Sequence, residues 1–153
     1  MTFPSQSALE SLWPGIRLRH VVTFTVPGSP VPKQRARVVA GQGGYYAARG
    51  RGSRRLTYPE YKELVQAECL RQCPDHGEAQ EAHVTFGCCQ FFLAVEVVTN
   101  RGDADNLAGS VLDALNGLVW KDDKQVTHLV ARVVRGRKPG EAGLTAGIWE
   151  IEE

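Results

Sequence analysis

The sequence predicts an α+β fold, a mixed β-sheet with two main helices packed on one face. Three observations carry that expectation. Segments rich in Val, Thr, Phe and Ile recur near both ends and in the middle of the chain. Two stretches between them repeat apolar residues at helical spacing, and 153 residues suffice for one core but not for two. With 42% hydrophobic and 23% charged residues, collagen-like, coiled-coil and wholly disordered classes are excluded.

Residues 1–19 show little periodicity and read as a flexible N-terminal extension, leaving 20–153 as the domain. Residues 20–26 are rich in Val, Thr and Phe and read as a strand, stopped by Pro27-Gly28-Ser29-Pro30. Pro30 and Pro32 keep the next stretch extended, so that Lys33, Arg35 and Arg37 at alternate positions project to one side. Residues 41–55, dominated by Gly, Ser and Arg, read as a mobile basic loop. Thr57 is the expected cap of a helix over 59–73, which Pro74 ends. A polar connection over 74–82 leads to one long or two short strands over 83–99, with Gly87 as a bulge or turn. After Asp105, the spacing of Leu107, Val111, Leu112, Ala114, Leu115, Leu118 and Val119 predicts a core helix. Residues 127–135 and 144–151 are β-rich and joined by a Gly-Arg-Lys-Pro-Gly loop, which suggests a closing hairpin. No internal repeat is present.

The longest apolar run, near 88–98, is broken by Gln90 and Glu96 and falls short of the ~20 residues that cross a bilayer, so no membrane helix is expected. The first twenty residues carry Glu10 and Pro14 and lack a secretory pattern, which points to a cytoplasmic protein, at the nucleoid when bound to DNA. Cys69, Cys73, Cys88 and Cys89 imply no disulfide framework. A zinc site on Cys69, Cys73 and His76 lacks a second ligand pair.

The net charge of +1 conceals an uneven distribution. Residues 1–59 hold nine Lys/Arg against Glu10 alone, a balance of +8, and residues 60–153 hold nine against sixteen acids, a balance of −7. Between Ser11 and Pro59 there is no acid, and Lys33, Arg35, Arg37, Arg49, Arg51, Arg54 and Arg55 crowd one stretch. Such density suits a polyanion, which would order a flexible arm by neutralising it, with binding that weakens steeply as salt rises. Tyr45 and Tyr46 stand among these charges, where they can stack on bases or pack at home.

The acids form their own pattern. Asp103-Ala104-Asp105-Asn106 lies where the strand region meets the core helix, and two carboxylates two residues apart on an extended end can share a cation. Asp122 and Asp123 follow the helix. Taken singly, Asp105 reads as a helix N-cap and Asp122-Asp123 as a solvated turn. Gathered at one point they would repel unless a divalent cation neutralised them, and oxygen-only ligands favour Mg²⁺ or Mn²⁺. The helix between the pairs runs about 20 Å, so the chain must fold back for them to meet. Beside a basic strip, a metal held this way suits phosphodiester hydrolysis.

Four ordered blocks, covering about 21–134, resemble the RusA-type Holliday junction resolvases. They are Pro27-Gly28-Ser29-Pro30-Val31-Pro32-Lys33-Gln34-Arg35-Ala36-Arg37, Gly102-Asp103-Ala104-Asp105-Asn106-Leu107, Leu112-Asp113-Ala114-Leu115-Asn116-Gly117, and Asp122-Asp123-Lys124-Gln125-Val126. The resemblance implies a RusA-like homodimeric endodeoxyribonuclease acting on branched DNA in recombination and repair. It further implies that Asp103, Asp105 and Asp123 are catalytic Mg²⁺-binding carboxylates with Asp122 beside them, and that Lys33, Arg35 and Arg37 contact DNA. One departure stands out: where the family carries a catalytic lysine, four residues after the second Asp of its Asp-x-Asp-Asn block, this chain has Gly109. Lys121, Lys124 or an Arg of the basic loop across the dimer are the candidate substitutes. Without one, the expectation is a junction-binding protein with weak or lost cleavage, and a flap- or RNA-directed nuclease is the other alternative. Asp113 reads as structural, hydrogen-bonding neighbouring backbone.

Overall fold

Alternation of buried and exposed residues sets the first long strand, β1 (Arg17–Pro27), with Val22, Phe24 and Val26 on the core side and Thr23 and Thr25 facing out. The computed structural model describes residues 3–34, 37–38, 44–45, 55–73 and 90–152. Short strands β2 (Arg37–Val38) and β3 (Gly44–Tyr45) pair with each other, so the expected loop over 41–55 contains a strand at its start; the rest of it to residue 54 lies outside the described residues.

Helix α2 (Tyr58–Gln72) begins at the expected Thr57, whose hydroxyl accepts from Glu60 N–H while the Glu60 carboxylate accepts from Thr57 N–H. Tyr58, Tyr61, Val65 and Cys69 recur at helical spacing and are buried. At its far end the Gln72 amide donates to Thr25 O at 2.7 Å and accepts from Thr25 N–H at 2.9 Å, occupying the outer rim of β1.

β4 (Gln90–Val98) is buried on both faces, with Phe91, Leu93, Val95 and Val97 toward the main core and Phe92 and Ala94 toward a second cluster. A strand covered on both sides needs a near-continuous apolar run, and Phe91 to Val95 supply it. The expected strand region over 83–89 lies outside the described residues. β5 (Val126–Val134) runs parallel to β4 and is joined to it by helix α3 (Ala104–Leu115), since parallel neighbours require a crossover. β6 (Gly143–Glu152) is antiparallel to both β1 and β4.

Among the described residues the sheet order is β1-β6-β4-β5. The mixed sheet is as expected, but the closing hairpin is not: β6 leaves β5 and inserts between β1 and β4. The reason lies in side-chain burial. β6 carries Leu144, Ala146 and Ile148 to the core and Trp149 to the opposite face, and only an interior position covers both.

α2 and α3 lie over the face bearing Val22, Phe24, Leu93 and Val95, and Gln66 ties them by donating to Ala114 O at 2.8 Å. The opposite face is not left open. Residues expected as a flexible extension form α1 (Gln6–Leu12), capped by Ser5, and the first residues of β1. Leu9 is 1% exposed against Leu18, Phe92 and Trp149, and the Glu10 carboxylate accepts from Leu18 N–H. A seven-residue helix with one buried apolar residue has no period to detect. Trp13 packs edge-on against Phe92, and Trp120 is fully buried beside Phe91, so both aromatics serve packing.

Candidate active site at the ends of the crossover helix

The turn after β4 delivers the first acidic pair. Gly102 adopts φ +82°, a conformation that glycine tolerates best, and the Arg135 guanidinium donates to its carbonyl. Asn100 fixes the same corner through Gly136 N–H at 2.8 Å and Arg137 O at 3.2 Å. Asp103 then takes the N-cap position of α3 without a side-chain capping bond, and Asp105, expected as the cap, falls in the first turn two residues beyond it. Both carboxylates are exposed at the positive end of the helix. Neither forms a side-chain hydrogen bond or ion pair among the described residues, which leaves their oxygens available for a cation.

The second pair sits at the other end. After α3, Trp120 anchors the chain beneath Phe91, and a 3-10 turn, Asp123–Gln125, leads into β5. Asp122 caps that turn by accepting from Lys124 N–H at 3.0 Å, and this bond, followed by the Asp123 side chain and the Lys124 charge, holds its carboxyl below the usual carboxylate range. Asp123 is half-buried, and Lys121 and Lys124 are exposed beside it.

β4 and β5 run in parallel with Phe91 opposite Val126 and Val98 opposite Val134. The Asp122–Asp123 pair therefore lies where β4 begins, and the Asp103–Asp105 pair where it ends. Twelve helical residues separate them, about 18 Å at ~1.5 Å per residue. The expectation that Asp103, Asp105 and Asp123 converge is not met within one chain. Among the described residues no three Asp, Glu, His or Cys side chains are gathered closely enough to hold a metal ion. The donors fit a hard divalent cation in kind, all being carboxylate oxygens, and each end supplies part of a set.

The described residues include the start of the basic strip. Lys33 N–H donates to Asn106 O at 2.8 Å, and its ammonium reaches 3.4 Å from Asp113 Oδ1. Asp113 Oδ2 accepts from the Tyr58 hydroxyl, and Lys62 stands 4.9 Å over the Tyr58 ring. Asp113 thus joins three elements through its side chain, where sequence reading assigned it a local backbone role. Its position eight residues after Asp105, on the same helical stripe, was the available signal. Gly109, midway between them, is buried under the Lys33 stem. Lys121 and Lys124, the candidate substitutes for a cation at Gly109, lie beyond the far end of α3 within one chain. Arg37 belongs to β2 and Arg55 is exposed ahead of α2, while Arg35, Arg49, Arg51 and Arg54 fall outside the described residues. The zinc alternative gains nothing: Cys69 is buried, which pushes its thiol up to about 12, and His76 lies outside the described residues.

No helix among the described residues is long and apolar enough to cross a membrane. A family model described as "Endodeoxyribonuclease RusA" matches residues 27–142, a span that contains β2 to β5, α2, α3 and both acidic pairs. No curated protein sequence matches the chain significantly.

Proposed function

The chain belongs to the RusA endodeoxyribonuclease family, and from that premise we propose that it is a Mg²⁺-dependent, structure-selective endonuclease. Its substrate is the four-way DNA junction of recombination and repair, which it resolves by paired symmetric nicks. Mn²⁺ is the alternative ion. The observation that carries the reading is the placement of carboxylate pairs at both ends of one crossover helix, beside a cationic segment.

Half a site at each end favours completion by a second copy. β5 is one of the two edge strands of the sheet among the described residues, and Leu129 on it is 42% exposed. Two β5 edges paired antiparallel about a two-fold axis run the start of one strand beside the end of the other. Asp123 of one copy then faces Asp103 and Asp105 of the other, and the dimer holds two equivalent sites. That matches a substrate with two-fold character that needs two cuts.

Asp103, Asp105 and Asp123, with Asp122 adjoining, are the residues that would hold the ion. When bound, a divalent cation polarises the phosphoryl oxygen and favours ionisation of the attacking water. The chain's own groups do the rest. Asp103 and Asp105 project from a helix terminus fixed by Arg135 and Asn100, so little reorganisation is needed at that end. Lys33, Arg35 and Arg37, with Arg49, Arg51, Arg54 and Arg55, hold backbone phosphates, which positions the strand without reading its bases. Attack by water on phosphorus and departure of the 3′ oxygen leave 5′-phosphate and 3′-hydroxyl ends.

The test is incubation of the purified chain with an end-labelled synthetic junction, with and without Mg²⁺. Paired nicks that vanish in Asp103→Asn and Asp123→Asn support the assignment. Binding without nicking in Mg²⁺ or Mn²⁺ defeats the nuclease reading and leaves a junction-binding module. Faster cutting of flaps or RNA would move the substrate class and keep the site.

A further inference from the structure

Asp105, Gly109 and Asp113 follow one another at four-residue steps along a single stripe of α3, and Gly109 leaves the middle of that stripe bare. Lys33 fills it. The stem crosses the helix so closely that a Cβ on Gly109 would lie 3.1 Å from Lys33 Cδ and 3.4 Å from Lys33 Cβ. One residue earlier, Pro32 lies against Gly102, where an added Cβ would come within 2.7 Å of its Cγ. The Pro32–Lys33 segment therefore borders Asp103 and Asp105 on both sides, touching Gly102 before them and Asn106 after them. α3 contributes no positive charge, since Ala104–Leu115 contains neither Lys nor Arg. The Lys33 ammonium rests on Asp113, two turns along α3 from Asp105, and its stem spans the bare turn at Gly109 between them.

We propose that Lys33 is the catalytic cation of the Asp103–Asp105 end, carried across Gly109 and contacting the scissile phosphodiester, with Asp113 as its positioning residue. The proposal deepens the endonuclease reading and rests on it. Asp113 is suited to aim a lysine because its two oxygens are divided, Oδ1 facing the ammonium and Oδ2 accepting from Tyr58 on α2. The carboxylate is thus fixed from a second helix while the ammonium, on a side chain 39% exposed, stays open to a phosphate arriving from solvent. A lysine carries a compact charge on a flexible stem, so exchanging the carboxylate for a phosphate requires only rotamer changes about a fixed backbone. In the reaction the oxygen of water bonds to phosphorus and the bond to the 3′ oxygen breaks. Water loses its proton to solvent, and the 3′ oxygen regains one. The ammonium stabilises the charge that builds on the phosphoryl oxygens between those events.

Single-turnover nicking and junction affinity, measured on the full chain with a labelled junction in Mg²⁺, test this. Lys33→Met keeps the stem over Gly109 and deletes the charge. It should slow nicking about 100-fold, as loss of one preorganised donor does, with junction Kd changing less than about tenfold. Asp113→Asn should slow nicking with Kd unchanged or tighter, a split that a purely structural ion pair would not produce. Adding Gly109→Lys to Lys33→Met pushes the uncharged, flexible stem aside and returns an ammonium to the stripe, which should recover at least about tenfold of the rate. A Lys33→Met variant as fast as wild type, or slowed only in proportion to lost binding, overturns the proposal. So does a double variant no faster than Lys33→Met. A wild type that nicks nothing in Mg²⁺ or Mn²⁺ sinks the endonuclease reading and this inference together, whereas nicking indifferent to residue 33 sinks this inference alone.

Discussion

Mixing two inactive variants, Asp105→Asn and Asp123→Asn, should restore nicking if each site is assembled from two copies. The separation decides what to expect. Along the β4–β5 ladder, Phe91 and Val98 are seven steps apart, about 23 Å at ~3.3 Å per step, a few ångströms more than the length of α3. Oxygens bound to one Mg²⁺ or Ca²⁺ ion lie about 2–2.6 Å from it, so carboxylates at opposite ends of that ladder cannot share one. In a mixed dimer, the intact Asp103–Asp105 pair of the Asp123→Asn copy faces the intact Asp123 of the Asp105→Asn copy. The other site carries both lesions. Co-expression with two affinity tags isolates the mixed species, which should nick at about half the wild-type rate and cut one strand instead of two. If every site belonged to a single chain, both sites of the mixed dimer would carry a lesion and no activity would return. A mixed dimer as inactive as its parents would therefore refute the composite assembly.

Leu129→Glu places a charge on the outer strand and should shift the protein toward monomer in analytical ultracentrifugation, with nicking lost and the fold by circular dichroism retained. Gly147→Ala should lower stability by about 1–3 kcal/mol, because the added methyl would sit 2.5 Å from Trp149 Cη2 and 2.7 Å from Phe3 Cε1; a thermal melt reads the loss. Cys69 should resist alkylation at pH 8 in the folded protein and react on denaturation. Burial holds its thiol protonated up to about 12 against 9.0 for an ordinary thiol, so folded and unfolded states bind the same proton below pH 9. Between 9 and about 12 only the unfolded thiol ionises, and stability should fall across that window, a loss that Cys69→Ala removes.

Local features were legible where one periodicity or one cap decides them. Thr57 announces α2, the stripe from Leu107 to Leu115 announces α3, and the Val, Thr and Phe of residues 20–26 announce β1. The four family blocks also lie within the matched span. Arrangement was harder to read. β6 looks like the partner of β5 because they adjoin in sequence, and only the burial of both its faces places it beside β4. α1 escaped because Leu9 alone carries its packing. At the candidate site, Asp103, Asp105, Asp122 and Asp123 were singled out by residue type. Their distribution to opposite ends depends on β4 and β5 being parallel, which no residue spells out. Asp113 was underrated because its partners, Lys33 and Tyr58, are remote in the chain.

The amide of Gln72 on Thr25 bears on how far this architecture can grow. Exposed strand rims invite further strands, and a protein that recruits a twin through one rim risks recruiting a third molecule through the other. Here the opposite rim is already plugged midway by a glutamine that imitates a neighbouring peptide, taking up both a donor and an acceptor. Association through β5 would thus stop at two copies, closing a finite particle and denying fibres a growing tip.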